Sequence, residues 1–213
     1  MTLSLAEIEG LAQRQGLKLR LRSRRTLGGG TFHVAAALPQ ADGSARMVGE
    51  LRGWLLPLPD GLRLDTMRVA AHGAVGVGTL IWATTFAWAL ECTPCRTARL
   101  LAIRDGERQH RRLVRYFRQL GFQAERDLGS GLFDLTPRLL WGGAGLLMVG
   151  RCDEGLSRCE RRLRGSCSAP ADHSARRQTP DPWPGIRSDR TPPGSSSGPP
   201  ADGPGTDAGT AQR

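Results

Sequence analysis

Apolar and polar residues follow different periods in successive stretches of this chain, and each period predicts an element. Leu3, Leu5, Ile8 and Leu11 recur at helical spacing, which predicts an N-terminal helix within residues 1–16. Its early acidic residues and lack of an unbroken apolar core are wrong for a secretory signal. Leu17-Lys18-Leu19-Arg20-Leu21-Arg22 then alternates with period two, and the alternation resumes over residues 32–38, so a hairpin is expected. Between them Gly28-Gly29-Gly30 reads as a flexible turn rather than a phosphate cradle, because no helix signal follows it. Residues 47–58 and 62–69 form a second strand pair joined through Pro59-Asp60-Gly61, a strong turn signal. In the last strand the apolar phase changes from Leu62 and Leu64 to Met67 and Val69. One extra residue does this to a period-two pattern, so a bulge is expected near Asp65-Thr66.

The centre of the chain reads differently. The glycine-rich turn His72-Gly73-Ala74-Val75-Gly76-Val77-Gly78 opens residues 79–90, a run with no charge and no helix breaker that is long enough for about three turns. A buried helix is predicted there, and after Cys92-Thr93-Pro94-Cys95 a strand over residues 97–103. Residues 107–120 fit an amphipathic helix. At about 100° per residue, Arg108, Arg111, Arg112, Arg115 and Arg118 fall on one side and Leu113, Val114, Phe117 and Leu120 on the other. Glu107 marks its start and Gly121 its end. Residues 123–128 read as a strand and 129–137 as a loop. Residues 138–148 form an apolar element whose glycines leave its type open, and 152–164 a short charged helix. The chain therefore predicts an α+β fold over residues 17–164, a mostly antiparallel sheet flanked by helices. Its Pro-, Gly- and Ser-rich residues 165–213 predict a disordered tail.

Charge narrows the partners without naming one. The chain of 213 residues has a formal net charge of +10, which favours nucleic acid, a membrane surface or a phosphorylated cofactor. The tail's charges balance, so the excess belongs to the folded part. Residues 69–90 carry no formal charge and reach the roughly twenty residues of a membrane span. Three glycines in the first half of that stretch, and an amphipathic helix after it that needs a soluble core, argue for a cytoplasmic protein with no membrane role. The arginine stripe fits a solvated face, a nucleic-acid surface or a neighbour of cofactor phosphates. Its aromatics fall on the buried side, which weakens the single-strand reading.

Cys92 and Cys95 have redox spacing, but such a pair opens a helix after a strand and this one ends a helix before a strand. Cys152 and Cys159 lack ligand-pair spacing, so reduced thiols and no metal are expected. His33 and His110 show no partner in the sequence and are read as surface or core residues. Asp65 and Glu50 are the carboxylates placed to act as a base through water, though either also suits an ion pair.

The order of elements resembles the GNAT superfamily of acyl-CoA N-acyltransferases. The most specific match is residues 113–122, a helix ending in an aromatic and then Leu120-Gly121-Phe122; Gly76-Val77-Gly78 is similar to the end of that superfamily's acetyl-CoA pyrophosphate loop. The likeness covers roughly residues 47–150. Residues 98–122 with Leu140-Trp141-Gly142-Gly143 also resemble a GNAT-like group of cyanobacteria and chloroplasts whose members mostly lack an assigned substrate.

The resemblance implies acetyl-CoA as cofactor. Its pyrophosphate would lie on the backbone N–H groups of Gly76, Val77, Gly78 and Thr79, and its pantetheine arm beside the strand of Met67 and Val69, where neighbouring strands splay. It implies direct attack of a small-molecule or protein amine on the thioester, with Asp65 as base and Tyr116 as acid. The family's usual tyrosine position holds Phe117 here, and Tyr116 stands one residue earlier. Gly73 occupies a position that is usually Arg or Gln. The alternative is a catalytically inactive basic module of the same fold that binds nucleic acid or a protein partner.

Overall fold

Ser4 begins the first element by capping it from both sides: its hydroxyl accepts from the Glu7 N–H, and the Glu7 carboxylate accepts from the Ser4 N–H at 2.7 Å. In this computed structural model residues 3–70, 76–129 and 143–167 are described. The first part of the expected glycine turn, nearly all of the loop 129–137, residues 138–142 and the expected tail from 168 onward lie outside the described residues. The elements are α1 Leu5–Arg14, β1 Lys18–Thr26, β2 Gly29–Pro39, β3 Ala45–Leu55, β4 Leu62–Val69, α2 Val77–Cys92, β5 Thr97–Ile103, α3 Glu107–Gln119, β6 Gln123–Leu128, β7 Gly145–Arg151 and α4 Cys152–Cys167. Seven strands form one sheet in the order β1-β2-β3-β4-β5-β7-β6, and every neighbouring pair is antiparallel except β4 and β5.

One sheet face carries the helices. Phe32, Val34, Leu51, Leu55, Leu62, Leu64 and Met67 point to it and are buried against α2, whose Leu80, Ile81, Trp82, Phe86 and Trp88 are buried in turn. The fit between sheet and helix is close. A Cβ on Gly49 would lie 2.7 Å from Ile81 Cδ1 and 3.0 Å from Val77 Cγ1, so a side chain there would make α2 give way. Trp82 and Phe86 extend the core to Phe117 of α3 and to Phe122, with ring centroids 5.5 to 6.2 Å apart. On the far side α4 packs on α2, with Gly155 against the Phe86 ring.

The opposite sheet face holds Arg20, Arg22 and Arg24 of β1, Thr31 and His33 of β2, Glu50, Arg52 and Trp54 of β3, and Arg63, Thr66 and Arg68 of β4. None of these except Glu50 is fully buried, and among the described residues no helix covers them. The turn between β1 and β2 is shorter than expected. Gly29 and Gly30 already belong to β2, pairing with Thr26 and Arg25 of β1, and a Cβ at either would strike backbone, Leu55 O at 2.6 Å and Arg24 O at 2.7 Å. The ambiguous apolar element resolves as β7, and α4 follows it without a loop.

Two irregularities in β4 shape its edge toward β5. Arg52 pairs with Thr66 but Gly53 with Leu64, so Asp65 is the extra residue of a bulge, where the phase change placed one. Parallel pairing with β5 covers only Leu62 to Leu64, opposite Ala98 to Leu100. Beyond the bulge β4 and β5 part, and β5 keeps pairing only with β7.

Candidate functional site

The gap between β4 and β5 opens beside the start of α2. Gly76, at φ 90°, turns the chain into the helix and no side chain caps it. The first helical hydrogen bond runs from the Leu80 N–H to Gly76 O at 2.9 Å. The N–H groups of Val77, Gly78 and Thr79 in the first turn therefore have no acceptor within the helix. Around Gly78 the expected residues converge: a Cβ there would stand 3.5 Å from Met67 Cε, 3.6 Å from the Tyr116 hydroxyl and 3.8 Å from Val69 Cγ2. Glycine leaves a small space at that point which any side chain would fill.

Tyr116 reaches this space although it is turned away from the position of Phe117. Phe117 meets Trp82 edge-on in the core, at 6.2 Å between ring centroids, and this contact sets the rotation of α3 against α2. Tyr116 is half-buried at the boundary, and its hydroxyl oxygen accepts the indole N–H of Trp82 at 2.9 Å. The indole has only that one donor and is buried, so the bond fixes the hydroxyl beside Gly78. Sequence alone marks Trp82 only as core, because nothing in an apolar run shows which indole will find a partner.

Asp65 lies elsewhere. It is exposed on the bulge, accepts from the Thr66 hydroxyl at 3.1 Å, and lines an open depression on the uncovered sheet face with Arg22, Arg24, His33, Arg52 and Trp54. Asp65 and Tyr116 thus stand at two different places along the departing edge of β4. Glu50, the other candidate carboxylate, is buried and ion-paired. It accepts from His33 Nε2 at 2.9 Å and from Arg52 at 2.9 and 3.1 Å. Burial opposes its ionisation, but the hydrogen bonds from Arg52 and His33 outweigh that and hold its carboxyl below the usual range. His33 therefore has a partner after all. The link joins neighbouring strands, so only the register could show it, although Glu50 and Arg52 on one strand face were legible as a pair.

His110, on α3, is buried with Nδ1 3.3 Å from Ile103 O. Cys95, Cys152 and Cys159 are buried free thiols, and burial pushes the last two up to about 12. Among the described residues no group of acidic, His and Cys side chains is placed to hold a metal ion, and no helix is long and apolar enough to cross a membrane.

Compared with known proteins, the chain matches no family model, and no curated protein or solved structure resembles it significantly.

Proposed function

We propose that the chain binds acetyl-CoA and is an N-acetyltransferase acting on an amine by direct transfer, in the cytoplasm. The observation that carries this reading is the parting of β4 and β5 directly beside an uncapped, glycine-lined helix start. Among the described residues no strand pairs with the β5-facing edge of β4 from Asp65 to Val69. That edge is suited to the amides of a pantetheine arm, and the N–H groups of Val77, Gly78 and Thr79 to a pyrophosphate. Gly78 supports this reading by keeping the backbone of the helix start free of a side chain: even one added carbon there would touch Met67, Val69 and Tyr116.

The cofactor, when bound, supplies the activated acyl group as a thioester. The chain's own residues do the rest. Met67 and Val69 line the arm, the first turn of α2 holds negative charge with its dipole, and Tyr116, fixed by Trp82, holds a proton for the departing sulfur. Asp65, exposed on the bulge, accepts the amine proton through water. The acceptor is a small-molecule or protein amine.

Thermal unfolding with acetyl-CoA tests the reading. Saturation to about one hundred times Kd stabilises by about 2.7 kcal/mol, which for a domain of this size raises Tm by roughly 5–10 °C. Gly78→Glu, which fills the space without a backbone clash, is expected to abolish the rise. No shift at millimolar acetyl-CoA, or an equal shift in the variant, would refute cofactor binding at this site.

A further inference from the structure

The arginines of this sheet fall into two groups. Toward the β5–β7 side Arg99 is held by Asp60 and Glu125, Arg104 by Asp127 and Arg151 by Asp153. On the uncovered face of β1 to β4, Arg20, Arg22 and Arg24 are exposed and have no acidic partner among the described residues. Their cross-strand neighbours are Ala35, His33 and Thr31, so no carboxylate stands directly opposite them on β2. Of the two acids on this face, Glu50 is already engaged by His33 and Arg52, and Asp65 stands on the bulge of β4.

The register arranges these side chains in rows. One row runs Arg24, Thr31, Trp54, Arg63 from β1 to β4, and the Arg63 guanidinium lies over the Trp54 ring at 5.7 Å. The next runs Arg22, His33, Arg52, Thr66. Along β1 the three arginines repeat every second residue, about 6.7 Å apart, close to the spacing of successive phosphates on an extended strand. A cationic track beside an aromatic platform is the chemistry that holds single-stranded nucleic acid. The arginine stripe of α3 lacks this combination, because Phe117 points into the core. A second copy pairing along the edge strand β1 is disfavoured, since it would set these arginines against their own images.

We propose that the uncovered face of β1 to β4 binds single-stranded nucleic acid, its phosphates along Arg20, Arg22 and Arg24 and a base at the Trp54–Arg63 platform. This does not depend on the acyl-CoA reading, and acetyl-CoA thermal shifts report on that one separately.

The test is fluorescence anisotropy of a labelled dodecamer of thymidylate with the full chain, over a salt series from about 50 mM upward. Binding is expected with a slope of log K on log salt near −2, as about three neutralised phosphates give. Arg20→Glu, Arg22→Glu, Arg24→Glu combined should weaken it at least tenfold, and Trp54→Leu about five- to hundredfold, the range of one lost base stack. Circular dichroism and Tm check the fold. Should the triple variant misfold, Arg22→Gln with Arg24→Gln serves, since neutral replacements at exposed positions keep the strand. Reversing Arg108, Arg111 and Arg115 on α3 should leave the affinity unchanged.

Absence of binding at about 50 mM salt, retention of binding by the sheet variants, or loss through the α3 variant alone would overturn the proposal. So would equally tight binding of a duplex or of polyglutamate.

Discussion

Replacing Tyr116 by Phe removes one oxygen and changes little else in shape. It leaves the Trp82 indole N–H, 1% exposed, without its acceptor at 2.9 Å. An orphaned buried donor costs about 1–3 kcal/mol, so Tm should fall by roughly 2–10 °C for a domain of this size. Trp82→Phe removes the same bond but no donor is stranded, and the half-buried tyrosine hydroxyl remains near the boundary. Its loss is instead that of indole volume in the core. In the double variant the orphan disappears, so the two changes should cost less together than their sum by about 1 kcal/mol or more. Urea unfolding of the four proteins measures this coupling.

Activity tests the second role, the one proposed for the hydroxyl in acetyl transfer. A proton donor contributes roughly 10²- to 10⁴-fold, so turnover of Tyr116→Phe should drop by at least about a hundredfold while acetyl-CoA still raises Tm. Wild-type stability in Tyr116→Phe would refute the hydrogen-bond argument, and wild-type turnover would leave Tyr116 as a packing residue.

Gly49→Ala should destabilise the fold by about 1–3 kcal/mol, because its Cβ would lie 2.7 Å from Ile81 and 3.0 Å from Val77; chemical denaturation measures it, and unchanged stability would mean that α2 lifts off β3 at no cost. Glu50 has a depressed folded pKa, so its stabilisation is complete above the unfolded value of 4.5 and is lost as pH falls through the folded value. Glu50→Gln should therefore lower stability at neutral pH and flatten its loss between pH 5 and 3, as Tm against pH would show; parallel profiles would refute the linkage. Iodoacetamide at pH 8 followed by peptide mapping should label exposed Cys92 well before Cys95, Cys152 and Cys159, the last two held protonated by pKa values near 12. Equal labelling would place those thiols at the surface.

Much of the fold was legible because local pattern and tertiary context agree. The strands β3 to β6, the apolar α2 and the amphipathic α3 lie close to where periodicity put them. β7 was obscured by glycines whose role is tertiary: Gly145 approaches Ala102 O and Gly150 the Phe122 ring, contacts that no local signal encodes. The triple glycine at 28–30 marks the hairpin turn at Leu27-Gly28, but Gly29 and Gly30 serve close backbone contacts within the sheet, which no local signal encodes either. At the candidate site the residues around Gly78 were named through the family resemblance, but the Trp82 bond that fixes Tyr116 depends on how α3 rotates against α2, set by Phe117. The uncovered cationic face was illegible because alternation marks Arg20, Arg22 and Arg24 as outward without saying whether a helix will cover them.

The bulge at Asp65 connects these observations physically. Leu62 and Leu64 must face the helices, and so must Met67, yet an odd step separates Leu64 from Met67, so an unbroken strand would turn one set to solvent. Inserting Asp65 as an unpaired residue restores both, at the cost of a kink and added twist. That kink falls where parallel pairing with β5 ends, at Leu64 opposite Leu100. The twist carries the next residues of β4 away from β5, which continues straight along β7. A single phase change in the apolar pattern thus opens the edge of β4 beside Gly78, and by the same step sets a carboxylate on the uncovered face.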